Sequence, residues 1–184
     1  MTRRLHPAVL ATAIALPLAL VVGVLVAAYL AQRYPALKPV ALGPVPAPQA
    51  SSPACTTLLA ALPDDLAGLS RAELADPAPE ATVAWRSTAA GADPTTDPVV
   101  LRCGLERPAE FDQAAPLVVV DGVSLLEISG ADTGIPATTY VVVDRGVYVA
   151  LTQPDGTGSG PLQDVAGVVA ATLPAQPLDP APVR

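Results

Sequence analysis

Two cysteines and one arginine-centred group of charges are the residues of this 184-residue chain whose types could do chemistry. Cys55 and Cys103 stand 48 positions apart, a spacing that fits no C-x-x-C redox or zinc motif. Cys55 begins an apolar helical stripe and Cys103 lies on the apolar face of a strand. Packing of that helix on that strand would bring the two sulfurs together. The pattern predicts a structural disulfide in an oxidising compartment, with two buried free thiols as the alternative.

The arginine-centred group follows the second cysteine. Arg102 is predicted to point to the strand face opposite Cys103, where it would line a cleft or pair with Glu106. The other charges nearby are Arg107, Glu110 and Asp112. Paired carboxylates can perform acid–base work, but solvated surface charge around the turn at Pro108 explains the same residues.

Histidine chemistry is confined to one position. His6 is the single histidine, so Ser-His-Asp, Cys-His and histidine metal sites are excluded from the rest of the chain. The glycine-rich run at 156–160 lacks the lysine of a phosphate loop and predicts a turn. We therefore expect no catalytic residue, no cofactor and no metal site. A hydrolase that uses carboxylates alone is the least favoured reading.

Aromatic residues make up only 3% of the chain. Proteins that bind glycans or single-stranded nucleic acids need aromatic side chains on which sugars or bases stack. Only four aromatic residues lie beyond the apolar N-terminal region, which is few for such a function. Trp85 is expected in the core, with ligand contact as the alternative. Tyr140 and Tyr148 are predicted to share a sheet face, as an interaction surface or under a helix.

A membrane anchor is predicted near the N-terminus. Residues 8–31 carry no charge and would span about 36 Å as a helix, more than the roughly 30 Å of hydrocarbon in a bilayer. Tyr29 and Tyr34 stand where an interfacial aromatic belt would lie. The basic residues on either side favour a cytoplasmic segment 1–7 and an extracytoplasmic C-terminal part, in a single-pass plasma-membrane protein. A cleaved signal peptide is the competing interpretation, although its apolar region should be shorter.

The part beyond the anchor is strongly acidic. Residues 36–184 hold seven basic residues against all 17 acidic ones, a formal charge of −10. Such a domain is repelled by nucleic acid and by anionic lipid, so no nucleic-acid partner is expected.

Proline divides the remaining chain into three regions. Residues 32–53 predict a semi-rigid proline-rich linker, 54–174 a folded domain, and 175–184 a disordered tail. In the domain, an apolar stripe after Ser52-Pro53 predicts a first helix, and a similar stripe over 162–173 predicts a second. Between the helices, alternating residues and turn dipeptides predict strands.

Finer expectations concern single elements. A short turn at 64–65 and a capping box at Ser70-x-x-Glu73 would follow the first helix. The strands are predicted at 82–87 and 99–105, with hairpins at 117–128 and 138–152. In the second hairpin, one face would carry Val141, Val143, Val147, Val149 and Leu151. The class is α+β: an antiparallel sheet of five or so strands with two helices on one face.

Five blocks of sequence carry a family resemblance: 54–71, 99–108, 120–126, 140–151 and 161–174. Together they resemble an actinobacterial family of membrane-anchored proteins, known as domain of unknown function 3515. Arg-Cys-Gly-x-x-Arg-Pro at 102–108, with the upstream cysteine, is the most specific element. The resemblance implies one N-terminal anchor and an envelope location, without an activity or ligand. Where the family tends to have an aromatic in the first hairpin, this chain has Leu125.

These observations favour a non-catalytic domain, tethered to the membrane through residues 8–31, that contacts a protein partner in the cell envelope. The alternative is a small-ligand binding module that uses the sheet face near Arg102.

Overall fold

The computed structural model of the chain describes residues 7–33, 37–90, 92, 93 and 95–183. It divides into two compact units, residues 1–37 with 88–94 and residues 38–87 with 95–184. His6, Tyr34 and most of the predicted cytoplasmic segment 1–7 lie outside the described residues. In the first unit, helix α1 (Pro7–Arg33) continues through Pro17. Its window Ala15–Gln32 has a mean hydropathy of 2.1 and is long and apolar enough to cross a membrane.

The second unit is an eight-stranded antiparallel sheet with two helices, which confirms the α+β class. Its helices are α2 (Pro53–Ala61) and α3 (Gly160–Thr172), and a 3₁₀ turn covers Ala131–Thr133. The strands are β1 (Asp65–Leu66), β2 (Leu69–Ala72), β3 (Thr82–Arg86), β4 (Val99–Leu105), β5 (Leu117–Val120), β6 (Val123–Ser129), β7 (Ala137–Val142) and β8 (Tyr148–Pro154). The order across the sheet is β1-β2-β3-β4-β8-β7-β6-β5. Strand β5 therefore forms one edge.

Both domain helices cover the same sheet face, which we call the helix face. Ser52 caps α2 by accepting a hydrogen bond from the Cys55 amide, as the sequence predicts. The apolar stripe of α3 is buried as predicted, and Trp85 lies fully buried beneath the helices. Leu66 of β1 is buried in the same core.

The region after α2 differs from its prediction. In place of the turn at 64–65 and the capping box at Ser70-x-x-Glu73, β1 and β2 form a tight hairpin. Ala67 and Gly68 adopt φ of 52° and 82° in its turn, a conformation typical of two-residue hairpin loops. Ser70 is in a strand because β2 pairs with β3 over three residues, so sheet pairing overrides the local capping signal.

The two central hairpins have different outcomes. Asp121 and Gly122 form the predicted two-residue turn, with φ of 51° and 72°. In the second hairpin Val142 pairs with Val149, which leaves a longer loop than the predicted three residues. Because a one-residue change in register reverses the face of every side chain on a strand, the predicted shared face is divided. Val141 and Val143 lie on the sheet face opposite to Val147, Val149 and Leu151.

The second sheet face is covered by proline-rich chain segments. Residues 38–50, which we call the N-terminal strap, form a bridge between Val40 and Leu74, and the Val40 side chain is buried. Further along, the Gln49 amide donates to the Gly104 carbonyl at 3.0 Å. This part of the predicted 32–53 linker is thus not a spacer. Proline lacks a backbone N–H, so such a segment covers a sheet without needing a partner strand.

The predicted tail 175–184 also lies against the domain. We call residues 174–183 the C-terminal strap. Near its start, the Gln176 amide donates to the Asp144 carbonyl at 2.8 Å. Ala181 then exchanges hydrogen bonds with the chain near Phe111: its amide donates to the Phe111 carbonyl at 2.9 Å and its carbonyl accepts from Gln113 at 3.0 Å. The prediction of disorder from composition is wrong for residues 174–183, because these backbone bonds offset the entropy cost of ordering them.

Candidate functional site

The disulfide predicted from the sequence is present and fixes α2 to the sheet. Cys55 lies in the first turn of α2 and Cys103 on the helix face of β4, with Cα atoms 5.6 Å apart. Both side chains are fully buried in the main core. The bond is therefore a structural crosslink within the core.

Arg102 lies on the opposite face of β4, as predicted, and lines a cavity of about 210 Å³. Its Nη1 donates to the Gly43 carbonyl of the N-terminal strap at 3.1 Å, so the cavity has the strap as one wall. Glu80 and Thr82 contribute polar atoms, while most of the other lining residues are apolar. Burial lowers the pKa of Arg102 below its ordinary value, and the guanidinium remains charged at neutral pH.

The charged residues after Arg102 do not form one site. Arg107 turns to the C-terminal strap, where Nη1 lies 3.5 Å from Asp179 Oδ2 and donates to the Asp179 carbonyl at 3.2 Å. Asp112 accepts at Oδ1 from the Ala114 amide at 2.8 Å. Glu106 is exposed, whereas Arg102 bonds to the strap. Within the described residues, no group of three or more His, Cys, Asp or Glu side chains is placed to hold a metal.

The two tyrosines occupy opposite sheet faces, so the predicted shared surface is wrong. Tyr140 packs on the helix face beside the main core. Tyr148 packs on the second face, with its ring 6.4 Å from that of Phe111 in an edge-on arrangement. The register of the β7–β8 hairpin explains the separation. Tyr140 pairs with Leu151, and Leu151 lies on the face opposite to Tyr148 because successive side chains of β8 alternate between the two faces.

Burial is the main cause of the raised pKa of both tyrosines, and the charges that act on each hydroxyl differ. Burial raises the pKa of Tyr140 above 10, and the carboxylate of Glu127 raises it further. For Tyr148, burial also raises the pKa, while Arg107 lowers it and Asp179 raises it. Both hydroxyls are hydrogen-bond donors at neutral pH.

A buried ion pair in the second hairpin loop was missed because its residues resemble an ordinary turn. Asp144 and Arg145 are 8% and 6% exposed, and Arg145 Nη1 lies 2.9 Å from Asp144 Oδ1. Asp144 Oδ2 accepts from the Ser124 amide at 2.8 Å, and Arg145 Nη2 donates to the Gly122 carbonyl at 2.8 Å. The pair therefore joins the two hairpin loops. Two adjacent charges between valine-rich strands were the available sequence signal.

The open edge of the sheet at β5 was also missed by sequence reasoning. In a two-residue hairpin the residues that flank the turn exchange both backbone bonds, so Val120 and Val118 bond to β6. The N–H and C=O groups of Val119 point away from β6. Within the described residues, no backbone group bonds to them. The side chains of Val118 and Val119 are 42% and 66% exposed.

Such an edge contrasts with the usual protection of terminal strands. Natural sheets shield their edges with lysine, proline, bulges or covering segments, because an open edge pairs with other chains. Strand β5 reads Leu-Val-Val-Val and contains none of those residues. At the other edge, β1 has only two residues. The sheet thus has one edge suited to accept an additional strand.

The domain so defined is a disulfide-crosslinked antiparallel sheet, with helices on one face and proline-rich straps on the other, that is preceded in the chain by an apolar helix. Residues 14–178 match the family described as "Protein of unknown function (DUF3515)". The chain belongs to this family, as the resemblance predicted. No curated protein and no solved structure matches the chain.

The position at which the family resemblance led us to expect an aromatic residue lies in the core. Leu125 is buried against the helix-face residues of β6 and its neighbours. An aromatic there would be a core residue too, so its replacement by leucine changes packing and does not remove a binding surface.

Proposed function

We propose that this chain is a membrane-tethered, non-catalytic interaction domain of the cell envelope. Helix α1 remains as an uncleaved anchor with its N-terminus in the cytoplasm, and residues 38–183 lie outside the plasma membrane. The length and hydropathy of α1 support the anchor. An extracytoplasmic location is consistent with the disulfide, because such bonds persist in oxidising compartments.

The observation that carries the proposal is the open, uncharged edge of β5. Its outward N–H and C=O groups at Val119 lack backbone partners within the described residues. A partner segment that adds as a ninth strand would satisfy them, and the exposed Val118 and Val119 side chains would give apolar contacts on both faces.

The charge of the domain favours a basic occupant. Residues 36–184 have a formal charge of −10, and Asp121 directly follows β5. A second copy would bring two such charges together, whereas an extended segment with alternating apolar residues and flanking lysines or arginines would be attracted. The partner is therefore an envelope protein that contributes a basic extended segment.

The test combines crosslink mapping with a backbone substitution. A photo-crosslinking amino acid is placed at Val118 or Val119 of the full chain in its native cells, and the adducts are mapped by mass spectrometry. Val119→Pro removes the outward N–H yet is tolerated in an edge strand. Val119→Ala keeps that N–H and is the matched control.

Strand addition predicts that both positions crosslink to one short, basic segment of one protein. Val119→Pro should remove the adduct formed from Val118, and Val119→Ala should retain it. Adducts with the chain itself would show that the occupant is a second copy and overturn the charge argument. Adducts scattered over many proteins, or equally sensitive to both substitutions, would overturn strand addition.

A second candidate function is small-ligand binding in the cavity at Arg102. The observation in its favour is the guanidinium on the wall of a largely apolar cavity of about 210 Å³. This function predicts that native mass spectrometry of the full chain finds a bound small molecule that Arg102→Met releases. The proline substitution at Val119 would leave that molecule in place.

A further inference from the structure

The cavity of about 210 Å³ at Arg102 is lined by both the sheet and the N-terminal strap. Pro44 and Val45 of the strap contribute to its wall, together with Thr82 of β3 and Leu105 of β4. At roughly 30 Å³ per water molecule, it has room for about seven waters or one small organic molecule. The Val45 side chain is 47% exposed, so an apolar ligand would find uncovered apolar surface here.

Arg102 brings a positive charge to this cavity without a carboxylate partner. Within the described residues, no aspartate or glutamate forms an ion pair with its guanidinium. Its bond to the protein goes from Nη1 to the neutral carbonyl of Gly43 at 3.1 Å. Of the five N–H groups of a guanidinium, this bond uses one. The half-buried charge of Arg102 is therefore available to an anionic group of a ligand.

Glu80 brings a negative charge to the same cavity. Its side chain is exposed, and in the described part of the chain it forms no ion pair with Arg102 or with another residue. The backbone carbonyl of Glu80 accepts from the Thr82 hydroxyl at 3.0 Å, and Thr82 pairs directly with Arg102 across β3 and β4. The two opposite charges thus line one cavity without neutralising each other.

The charge of the ligand follows from these two residues together. A simple anion would be attracted by Arg102 but repelled by Glu80, and a simple cation would meet the reverse. The acidity of residues 36–184, with a formal charge of −10, also disfavours a multiply charged anion such as phosphate. A molecule that carries one negative and one positive group satisfies both side chains, and an apolar part would fit the remaining wall.

We propose that the cavity at Arg102 binds a free α-amino acid with an apolar side chain. The carboxylate of the ligand accepts from the Arg102 guanidinium, and its ammonium group donates to the carboxylate of Glu80. Its side chain packs against Val45 and Leu105. This inference rests on the second candidate function, ligand binding at Arg102, and is independent of strand addition at β5.

The experiment is a titration of the isotope-labelled full chain in lipid nanodiscs, followed by NMR at the backbone amides of Val45 and Leu105. The probes are leucine and three analogues that each lack one of its groups. Isocaproate lacks the ammonium group, isoamylamine lacks the carboxylate, and glycine lacks the apolar side chain. We expect leucine to shift both amides with one saturating curve, and each analogue to bind more weakly than leucine.

Two substitutions and two controls make the test specific to this cavity. Arg102→Met should weaken leucine binding about tenfold or more, as expected for lost hydrogen bonds between charged groups. Glu80→Gln should weaken it about two- to fivefold, because this ion pair is exposed, and should not weaken isocaproate binding. Arg86→Met is the matched control for the strap, since Arg86 also donates to a strap carbonyl, that of Lys38. Glu106→Gln removes an exposed carboxylate outside the cavity, and both controls should leave the affinity unchanged.

Each outcome decides the proposal. Saturable leucine binding that weakens in Arg102→Met and Glu80→Gln, but not in the controls, supports it. Absence of a saturable shift would overturn it, and so would isocaproate or isoamylamine binding as tightly as leucine, a comparison on the unaltered chain that holds even if Arg102→Met does not fold. If leucine does not bind while native mass spectrometry finds another molecule that Arg102→Met releases, the amino acid is wrong and ligand binding at Arg102 stands. If no such molecule is found either, both fail.

Discussion

Replacing Gly104 by alanine should detach the N-terminal strap from the sheet. Gly104 has a φ of +87°, and an added Cβ would lie 2.3 Å from both the Ala50 nitrogen and the Gln49 carbonyl carbon. Both are backbone atoms, so the strap must move to relieve the clash. The register of β4 against β8 shifts at this glycine. Leu105 therefore packs on the second face, although it stands two residues after Cys103, which packs on the helix face.

Two costs set the magnitude of this effect. A non-glycine residue in left-handed backbone geometry costs about 1–2 kcal/mol. Displacement of the strap also removes the hydrogen bond from the Gln49 amide to the Gly104 carbonyl, worth about 0.5–1.5 kcal/mol. With lost strap contacts, Gly104→Ala should lower the free energy of unfolding by about 2–4 kcal/mol.

Gly68 provides the matched control for this substitution. It has a similar φ of +82°, and an added Cβ would meet nothing within 4 Å, so Gly68→Ala should cost only the backbone part, about 1–2 kcal/mol. Urea unfolding of the full chain in nanodiscs measures both free energies. Amide exchange at Gln49 should accelerate only in Gly104→Ala. Equal losses in the two variants, with Gln49 exchange unchanged, would refute the role assigned to the strap.

Three further predictions concern the core, the loop pair and a tyrosine. Replacing Cys55 or Cys103 by serine opens a loop with a sequence separation of 48 and should lower the free energy of unfolding by up to about 4 kcal/mol. Chemical unfolding of the double variant should show about the same loss as either single variant, and strictly additive losses would contradict a shared bond. Arg145→Met leaves the carboxylate of Asp144 buried without its partner and should cost about 3–5 kcal/mol, whereas adding Asp144→Asn should recover part of that loss; a double variant less stable than Arg145→Met would contradict this account. The raised pKa of Tyr140 means that the folded state holds the phenol proton more tightly than the unfolded state does. This contribution to stability is complete below pH 10 and is lost as the pH rises through the pKa of the folded state. Tyr140→Phe should therefore flatten the decline of the free energy of unfolding at alkaline pH, and an unchanged decline would assign it to other groups.

Periodicity and turn chemistry were sufficient to predict the main elements of the fold. The stripe after Ser52 and the Asp121-Gly122 turn act locally, so neighbouring residues determine the outcome. The disulfide was predictable too, because each cysteine lay on an apolar face that a helix-on-sheet core must bring together. The class of fold followed from the order of these elements.

Features that depend on distant partners were not predictable. Proline content indicated a semi-rigid spacer for the N-terminal strap and disorder for the C-terminal strap, since composition does not show that Val40 pairs with Leu74 or that Ala181 bonds to Phe111. The order of strands across the sheet is likewise non-local, and it alone makes β5 an edge. The Tyr140 error arose from one residue of hairpin register.

Amide hydrogen exchange at Val119 tests strand addition at β5 most directly. The full chain in nanodiscs is measured alone and with a synthetic peptide of the segment that the crosslinks identify. At a peptide concentration of 100 times its Kd, the outward Val119 amide should exchange about a hundredfold more slowly. The Val118 amide, which already bonds to β6, should change much less. Peptide binding that leaves Val119 exchange unchanged would contradict the proposal that β5 accepts a partner strand.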